Sequence, residues 1–362
     1  MNNPINNTYF ADANEKFDPT IVVDSLFSHL SPRECEVIRR RHGIGESKST
    51  LEAIGQDLGV TRERVRQIEI GSIKKLKRLD EFSRKIKEAR DILTEMIKGH
   101  GGIMEELFLI DNLNLVRKDE QVKGATLFIL SKLLDDELEY VSNHEHILNS
   151  WRLKQVDETE FIDRIDKLIK LIESHQEPIE EDRLYNRYQE HYGQEEELLK
   201  CPKVFRSHLR LARQIDQNVF GLWGIYNWNT IRPKRMNDKI YIVLKKQGQP
   251  LHFSDIAKLI NEMRFDSKTA YPATVHNELI LDKKYVLVGR GIYALSEWGY
   301  KHGVVADVIK YVLRERPGLK RDEIVDQVLK QRLVGKSTIH LSLMDKKNFK
   351  KDAEGRYFVV GD

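Results

Sequence analysis

From Ser31 onward the chain is a succession of short apolar stripes at helical spacing, separated by glycines and capping residues. Ser31-Pro32-Arg33-Glu34 places an N-cap serine, a proline at the first helical position and a glutamate at the third, a capping box that predicts a helix ending at Gly43. Ser49-Thr50-Leu51-Glu52 is a second box. It opens a short helix in which Leu51, Ile54 and Leu58 share one face and which Gly59 closes. Thr61 then caps a longer helix to about Leu79, with Val65, Ile68, Leu76 and Leu79 on one stripe. Helix, tight glycine turn, helix is helix-turn-helix order. Further along, paired amphipathic helices are followed each time by two short alternating strands, so the fold class expected is mainly α with small β wings.

The third of these helices shows which side it offers. Advancing about 100° per residue from Arg62 sets the apolar stripe at roughly 240° to 320°. Arg62, Glu63, Arg66 and Gln67 fall between about 0° and 140°, turned away from the core. Ile73 lands on the outward side and is a misfit.

These residues carry a resemblance. Leu30-Ser31-Pro32-Arg33-Glu34, Val37-Ile38, Arg41-His42-Gly43-Ile44, Thr50-Leu51-Glu52-Ala53-Ile54-Gly55 and Gly59-Val60-Thr61-Arg62-Glu63-Arg64-Val65-Arg66-Gln67-Ile68-Glu69 resemble region 4 of the sigma-70 family of bacterial transcription initiation factors. The resemblance covers about residues 25 to 79. It implies reading of the minus-35 promoter element by the recognition helix, and a grip on the flap of the RNA polymerase β subunit. By position the base-reading roles pass to Arg62, Glu63, Arg66 and Gln67, and the phosphate roles to Arg33, Arg41, Thr50, Leu51, Thr61, Arg64, Lys74 and Lys75. The chemistry suits those roles independently. Arg donates in pairs to guanine, Gln pairs with adenine, and Glu accepts from cytosine. Helix starts and guanidinium groups hold phosphate. Gly71 departs from the family, standing where a basic residue is common. Only about thirty residues precede the match, so the minus-10-melting region of a full sigma factor is not expected, nor is promoter opening by this chain alone.

The second half repeats itself. Residues 202–228 superpose on 272–298 at an offset of 70: Pro202 on Pro272, Leu209 on Leu279, Gly221 on Gly291 and Trp228 on Trp298. At a further shift of 64, Thr274-Val275-His276 falls on Thr338-Ile339-His340, and Gly291-Ile292-Tyr293 on Gly355-Arg356-Tyr357. The period suits a small domain better than a solenoid repeat. Helices over Asp238–Lys246, Phe253–Met263 and Ala273–Leu281, then strands over Tyr285–Val288 and Gly291–Leu295, spell a winged helix. This copy resembles the HARE-type winged helix of RNA polymerase delta subunits and of some restriction systems. The domains expected are a disordered tail at 1–17, the helix-turn-helix at 18–80, an acidic winged helix at 156–231, the HARE-type copy at 232–302 and a last copy at 303–362. Residues 81–155 hold a connecting helix and are open to reading as a degenerate fourth copy. Trp223, Trp228, Tyr293 and Trp298 recur at repeat positions and are assigned to packing.

Charge divides the array. Residues 232–362 carry 26 Lys and Arg against 16 Asp and Glu, whereas 156–200 carry 6 against 14, although the whole chain nets only +3. A basic surface suits a polyanion and an acidic one a protein. His276, Asn277, Lys283, Lys284 and Arg290 in one copy, and Lys336, Thr338, His340, Lys346 and Lys347 in the last, are the candidate contacts to DNA phosphate; protein docking stays open for both copies.

Other chemistry is set aside. Cys35 and Cys201 have no CxxC partner, which excludes a disulfide framework or a cysteine zinc site. Gly335-Lys336-Ser337-Thr338 mimics the end of a phosphate-binding loop, but Lys330 stands where its first glycine belongs. His144 and His146 lack the spacing that aligns two imidazoles on a helix, and are expected on the surface. No apolar run is long enough to span a bilayer and no signal peptide opens the chain. The expectation is a non-catalytic, cytoplasmic regulator, bacterial or phage, without cofactor or metal. Its partners would be double-stranded DNA and RNA polymerase, with no small-molecule substrate. Two alternatives stay open: a sigma mimic that binds polymerase without reading DNA, and the recognition subunit of a restriction or defence system.

Overall fold

A computed structural model describes residues 17–113, 119–193 and 200–361. The expected tail at 1–17 lies outside them apart from Phe17, which is buried. The architecture is mainly α-helical with small antiparallel sheets. Two compact units divide it, one running to Asp216 and including Trp223–Tyr226, the other made of Gln217–Leu222 and everything from Asn227.

The first unit opens with α1 (Pro19–Phe27), α2 (Pro32–His42), α3 (Leu51–Leu58) and α4 (Arg62–Lys77). Both arms of the box at Ser31 form: its side chain accepts from the Glu34 amide, and the Glu34 carboxylate accepts from the Ser31 amide. Gly43 ends α2 with φ at 71°, a left-handed geometry that a residue with a Cβ adopts at a cost. There follow α5 (Phe82–Gly99), β1 (Ile103–Glu105), α6 (Glu106–Asn112), α7 (Glu120–Phe128) with a π-helical turn at Ile129–Leu133, β2 (Leu138–Val141) and β3 (Ser150–Leu153). One hydrophobic core joins Leu26, Phe27, Ile38 and Leu76 to Ile86, Leu93, Phe128, Leu130 and Trp151. At 80/81, therefore, the motif changes while the core continues. Ile73 is half-buried against this core, so its misfit on the helical wheel disappears once α4 is seen packed on two sides.

Three helices and two strands follow: α8 (Glu158–His175), α9 (Glu181–Tyr192), α10 (Pro202–Leu211), β4 (Ile215–Gln217) and β5 (Trp223–Ile225). Here α10 is buried on the side that would otherwise face solvent. Ser207 donates to the Ile103 carbonyl at 3.3 Å, and the Leu148 amide to the Leu211 carbonyl at 2.9 Å. His144 and His146 belong to this junction and not to the open surface. His144 Nδ1 accepts from the His146 amide at 3.1 Å, its Nε2 lies 3.0 Å from Glu158, and its carbonyl accepts from Arg213.

The second unit holds α11 (Met236–Gln247), β6 (Leu251–His252), α12 (Phe253–Met263), α13 (Pro272–Leu281), β7 (Tyr285–Gly289) and β8 (Ile292–Leu295). Then come α14 (Val305–Glu315), β9 (Leu319–Lys320), α15 (Arg321–Leu329), α16 (Lys336–Leu343), β10 (Phe349–Lys351) and β11 (Arg356–Val359). The third helices and the strands after them repeat at fixed spacing: they begin at 202, 272 and 336 and at 215, 285 and 349, displaced by 70 and 64 each time, although the copy that holds α10 has no named strand between α8 and α9 and a sheet of β4 and β5 alone. Sheet order agrees as well, the last strand lying between the other two in β1-β3-β2, β6-β8-β7 and β9-β11-β10. Residues 82–153 thus share the topology of 236–295 and 305–359. Within this unit the Leu333 amide donates to Val288 at 2.6 Å, and the buried Arg332 guanidinium donates to the carbonyls of Lys301 at 2.6 Å and Gly303 at 2.9 Å.

Candidate nucleic-acid interface

The helix-turn-helix is set by its turn. A Cβ at Gly55 would lie 2.7 Å from the Val60 carbonyl, so the turn from α3 into α4 closes only over a residue without one. Gly59 takes φ 63°, the Val60 amide donates to Gly55 at 2.9 Å, and Thr61 Oγ1 caps α4 by accepting from the Arg64 amide at 3.1 Å. Val37, Ile54 and Val65, backed by Leu51, Leu58, Val60 and Ile68, form a small core beneath. That core fixes the rotation of α4. Val65, Glu69, Ser72 and Leu76 point inward, while Arg62, Glu63, Arg66, Gln67 and Ile70 face outward.

Two outward residues are paired with each other. Arg66 Nε donates to Glu63 Oε2 at 2.9 Å and Nη2 to Oε1 at 2.7 Å, a bidentate pair in open solvent. The Arg66 hydrogen bonds hold the Glu63 carboxyl below the usual carboxylate range, and the Glu63 hydrogen bonds raise the Arg66 guanidinium. Arg64 reaches Gln67 at 3.4 Å. The Arg62 side chain is exposed at the first position of α4. On the inward side His42 Nε2 meets Glu69 Oε1 at 3.0 Å, tying α2 to α4.

The other expected anion contacts ring this face. Arg33 is exposed and reaches the Leu58 carbonyl at 3.4 Å. Arg41 is half-buried, 3.8 Å from Glu69 and 3.4 Å from the Ser49 carbonyl. Thr50 caps α3, accepting from the Ala53 amide at 3.1 Å, and Leu51 supplies the first helical amide. Lys74 is exposed, while Lys75 is 3.1 Å from Glu34 and Lys77 is paired with Asp135. The face therefore offers bidentate donors, an amide and a carboxylate on one helix, with helix starts and cations around them, the inventory by which edges of base pairs and backbone phosphates are contacted.

The family profile "Sigma-70, region 4" matches residues 26–78. Those residues form a sigma-70 region 4 domain. Over 57 residues the chain is 54% identical to the RNA polymerase sigma factor RpoD of Helicobacter pylori, a stretch that is 15% of this chain and 8% of that protein. Over 56 residues it is 48% identical to the RNA polymerase sigma factor SigA1 of Synechococcus elongatus, 15% of this chain and 14% of that one. Over 67 residues it is 42% identical to SigA of Clostridium acetobutylicum, 18% of each chain. The chain thus spans less than a fifth of the length of these relatives. In the region 4 domain the matched stretch ends at Arg78, the residue that caps α4, before the packing partner α5 begins at Phe82.

Beyond the region 4 domain the candidate contacts separate into free and committed groups. Asn277, Lys283 and Arg290 are exposed, Arg290 at the turn joining β7 and β8. His276 is half-buried and stacks on Phe253 at 4.5 Å between ring centroids. Lys284 donates to Asn237 at 2.6 Å and lies over the Tyr241 and Tyr285 rings. In the last module Lys336, Thr338, Lys346 and Lys347 are exposed and His340 is half-buried. Sequence reasoning passed over the exposed Lys350 and Lys351 on β10, and over the apolar Tyr271, Ile280, Leu281, Leu341 and Met344 beside or on α13 and α16. A helical wheel on α13 and α16 carries that signal. Trp223 and Tyr293 are buried, and Trp298 packs against its module's core.

Among the described residues no three His, Cys, Asp or Glu side chains gather as metal ligands, and no helix is long and apolar enough to cross a membrane. Gly335 is the N-cap residue of α16 and follows α15 with no strand between, so Lys336–Thr338 lie in a helical first turn.

Proposed function

We propose that this protein is a non-catalytic, cytoplasmic DNA-binding transcription regulator. It reads minus-35-type promoter DNA through its region 4 domain. The observation that carries the reading is the division of α4: Arg62, Glu63, Arg66 and Gln67 share its exposed side, while Leu76 on the inward side is sealed into a core with α5 and α7. Helix-turn-helix recognition requires that side to enter the major groove. The repeated modules at 82–153, 157–230, 236–298 and 303–360 serve as winged helices, the HARE-like one among them. The last two add phosphate contacts through Lys283, Arg290, Lys346 and Lys347.

RNA polymerase is the protein partner we propose, because the relatives are RNA polymerase sigma factors. A sigma mimic that ignored DNA would need an apolar face for its partner, and the apolar sides of α2 and α4 are already covered within the first unit. This supports base reading over mimicry at the β flap.

The test is selection of duplexes from a random pool by the intact protein, followed by affinity measurement. Arg66→Ala should relax preference at one position, at a cost of about 1 to 3 kcal/mol. Lys283→Ala should weaken all duplexes alike and lower the salt slope by about one. Equal binding to promoter and scrambled duplexes refutes the reading. Polymerase recovered from nuclease-treated lysate by a chain that binds no promoter would establish the mimic, and strand cleavage by a purified complex would establish a defence role.

A further inference from the structure

The exposed side of α4 contains one apolar side chain. Ile70 is 50% exposed and belongs to neither neighbouring core. At 100° per residue it falls near 80° from Arg62, between Arg66 at about 40° and Gln67 at about 140°, one turn further along the helix. Its Cα is therefore about 6 Å from that of Arg66 along the axis, close to two base-pair steps of about 3.4 Å each. The next residue is Gly71, and a Cβ added there would meet nothing within 4 Å. At that position the helix carries no side chain, and Lys74, the exposed residue one turn beyond Ile70, is a flexible cation suited to phosphate, so a duplex can approach Ile70 at the distance a short aliphatic chain can span.

We infer that Ile70 is a specificity-determining residue that packs against the C5-methyl group of a thymine, next to the base pairs met by Arg66 and Gln67. The inference rests on the proposed reading of DNA. Of the groups displayed in the major groove, the thymine methyl is the apolar one, and it is what an isoleucine ringed by Arg and Gln can recognise. Ile70 brings no donor or acceptor, so it discriminates thymine from cytosine, whose edge lacks the methyl, by contact alone. In this account Gly71 gives up one phosphate contact and permits the close approach that a methyl-to-isoleucine contact needs.

The test uses duplexes recovered by selection with the intact protein, each thymine replaced in turn by deoxyuridine, a change that removes only the methyl group. At one position, or two adjacent ones, the wild type should bind about four-fold more weakly, the effect of one buried methyl group. Ile70→Ala should bind the thymine and deoxyuridine duplexes equally while keeping the Arg66-dependent preference. Indifference of the wild type to deoxyuridine at every position overturns the inference, and needs no variant to show it. So does Ile70→Ala or Ile70→Ser with undiminished deoxyuridine sensitivity, each variant's fold being checked by its thermal melt. Selection that yields no consensus overturns the reading of DNA and this inference with it; a consensus without methyl sensitivity overturns the inference alone.

Discussion

His42 Nε2 hydrogen-bonds Glu69 Oε1 at 3.0 Å, and the Phe128 ring stands edge-on to the imidazole with centroids 4.9 Å apart. One histidine thus joins the first helix of the region 4 domain, its recognition helix and the π-turned end of α7. Burial holds His42 below its ordinary range against the opposing pull of Glu69, whose carboxylate accepts the imidazole hydrogen bond.

Acid should loosen this core. His100 is also buried, donates through Nδ1 to the Met96 carbonyl at 2.7 Å, and is pushed by burial down to about 4. For both histidines the folded pKa lies below the unfolded value of about 6.5, so the unfolded chain binds more protons as pH falls. The stability that these two neutral histidines contribute is complete above about pH 6.5 and is lost progressively toward pH 4, the window set by the shift of His100. Urea unfolding between pH 7.5 and 4.5 should show the slope, and His42→Gln with His100→Asn should flatten it.

Gly124 and Gly71 should respond oppositely to alanine. A Cβ on Gly124 would press into the Gly43 carbonyl, where the C-cap of α2 meets α7 and neither backbone can yield. Gly124→Ala should cost about 3 kcal/mol, in the upper part of the overpacking range. Gly71→Ala meets open space in mid-helix and should stabilise by about 0.5 to 1 kcal/mol. Chemical denaturation of the two variants side by side checks both signs.

Glu63 should serve discrimination more than affinity. It accepts two hydrogen bonds from Arg66 before any duplex arrives, and its charge repels phosphate. Glu63→Gln should tighten binding to unrelated duplexes and reduce the preference for the selected site by about 1 to 3 kcal/mol. Competition titrations against a scrambled duplex measure the ratio.

Arg332 should brace the second unit. Its buried guanidinium, whose pKa burial lowers, satisfies the carbonyls of Lys301, Gly303 and Gln331. Arg332→Ala leaves those acceptors without their donor and should cost about 2 kcal/mol. Hydrogen exchange should speed up first at the Leu333 amide, which donates to Val288. Unchanged exchange there would show that the strap between α15 and α16 holds without the arginine.

Local order alone made the helix-turn-helix legible: the box at Ser31, the left-handed glycines at 43 and 59, and the period of Val65, Ile68 and Leu76 act within a few residues and need no distant partner, while the box expected from Ser49 to Glu52 gives way to a plain cap one residue later, Thr50 accepting from the Ala53 amide. The same holds for the repeat, whose helices and strands start at the offsets visible in the sequence. Which side of α4 is free was readable too, because one stripe is apolar and its opposite is charged.

Side-chain commitments were decided by tertiary structure, since they depend on residues far apart in the chain. Nothing near Ile73 announces the second core that covers it. His276 looks like a donor on a helix until Phe253 stacks on it, and Lys284 looks free until its ammonium donates to Asn237 and pairs with Asp282. His144 joins Glu158 and Arg213 only when α8 and α10 are folded against its loop. The third helices α7 and α10 lose their open faces to neighbours, while α13 and α16 keep exposed apolar residues. The repeat determined that these helices would exist; packing between modules determined which of them stay open, because burial belongs to pairs of surfaces and not to a single stretch of chain.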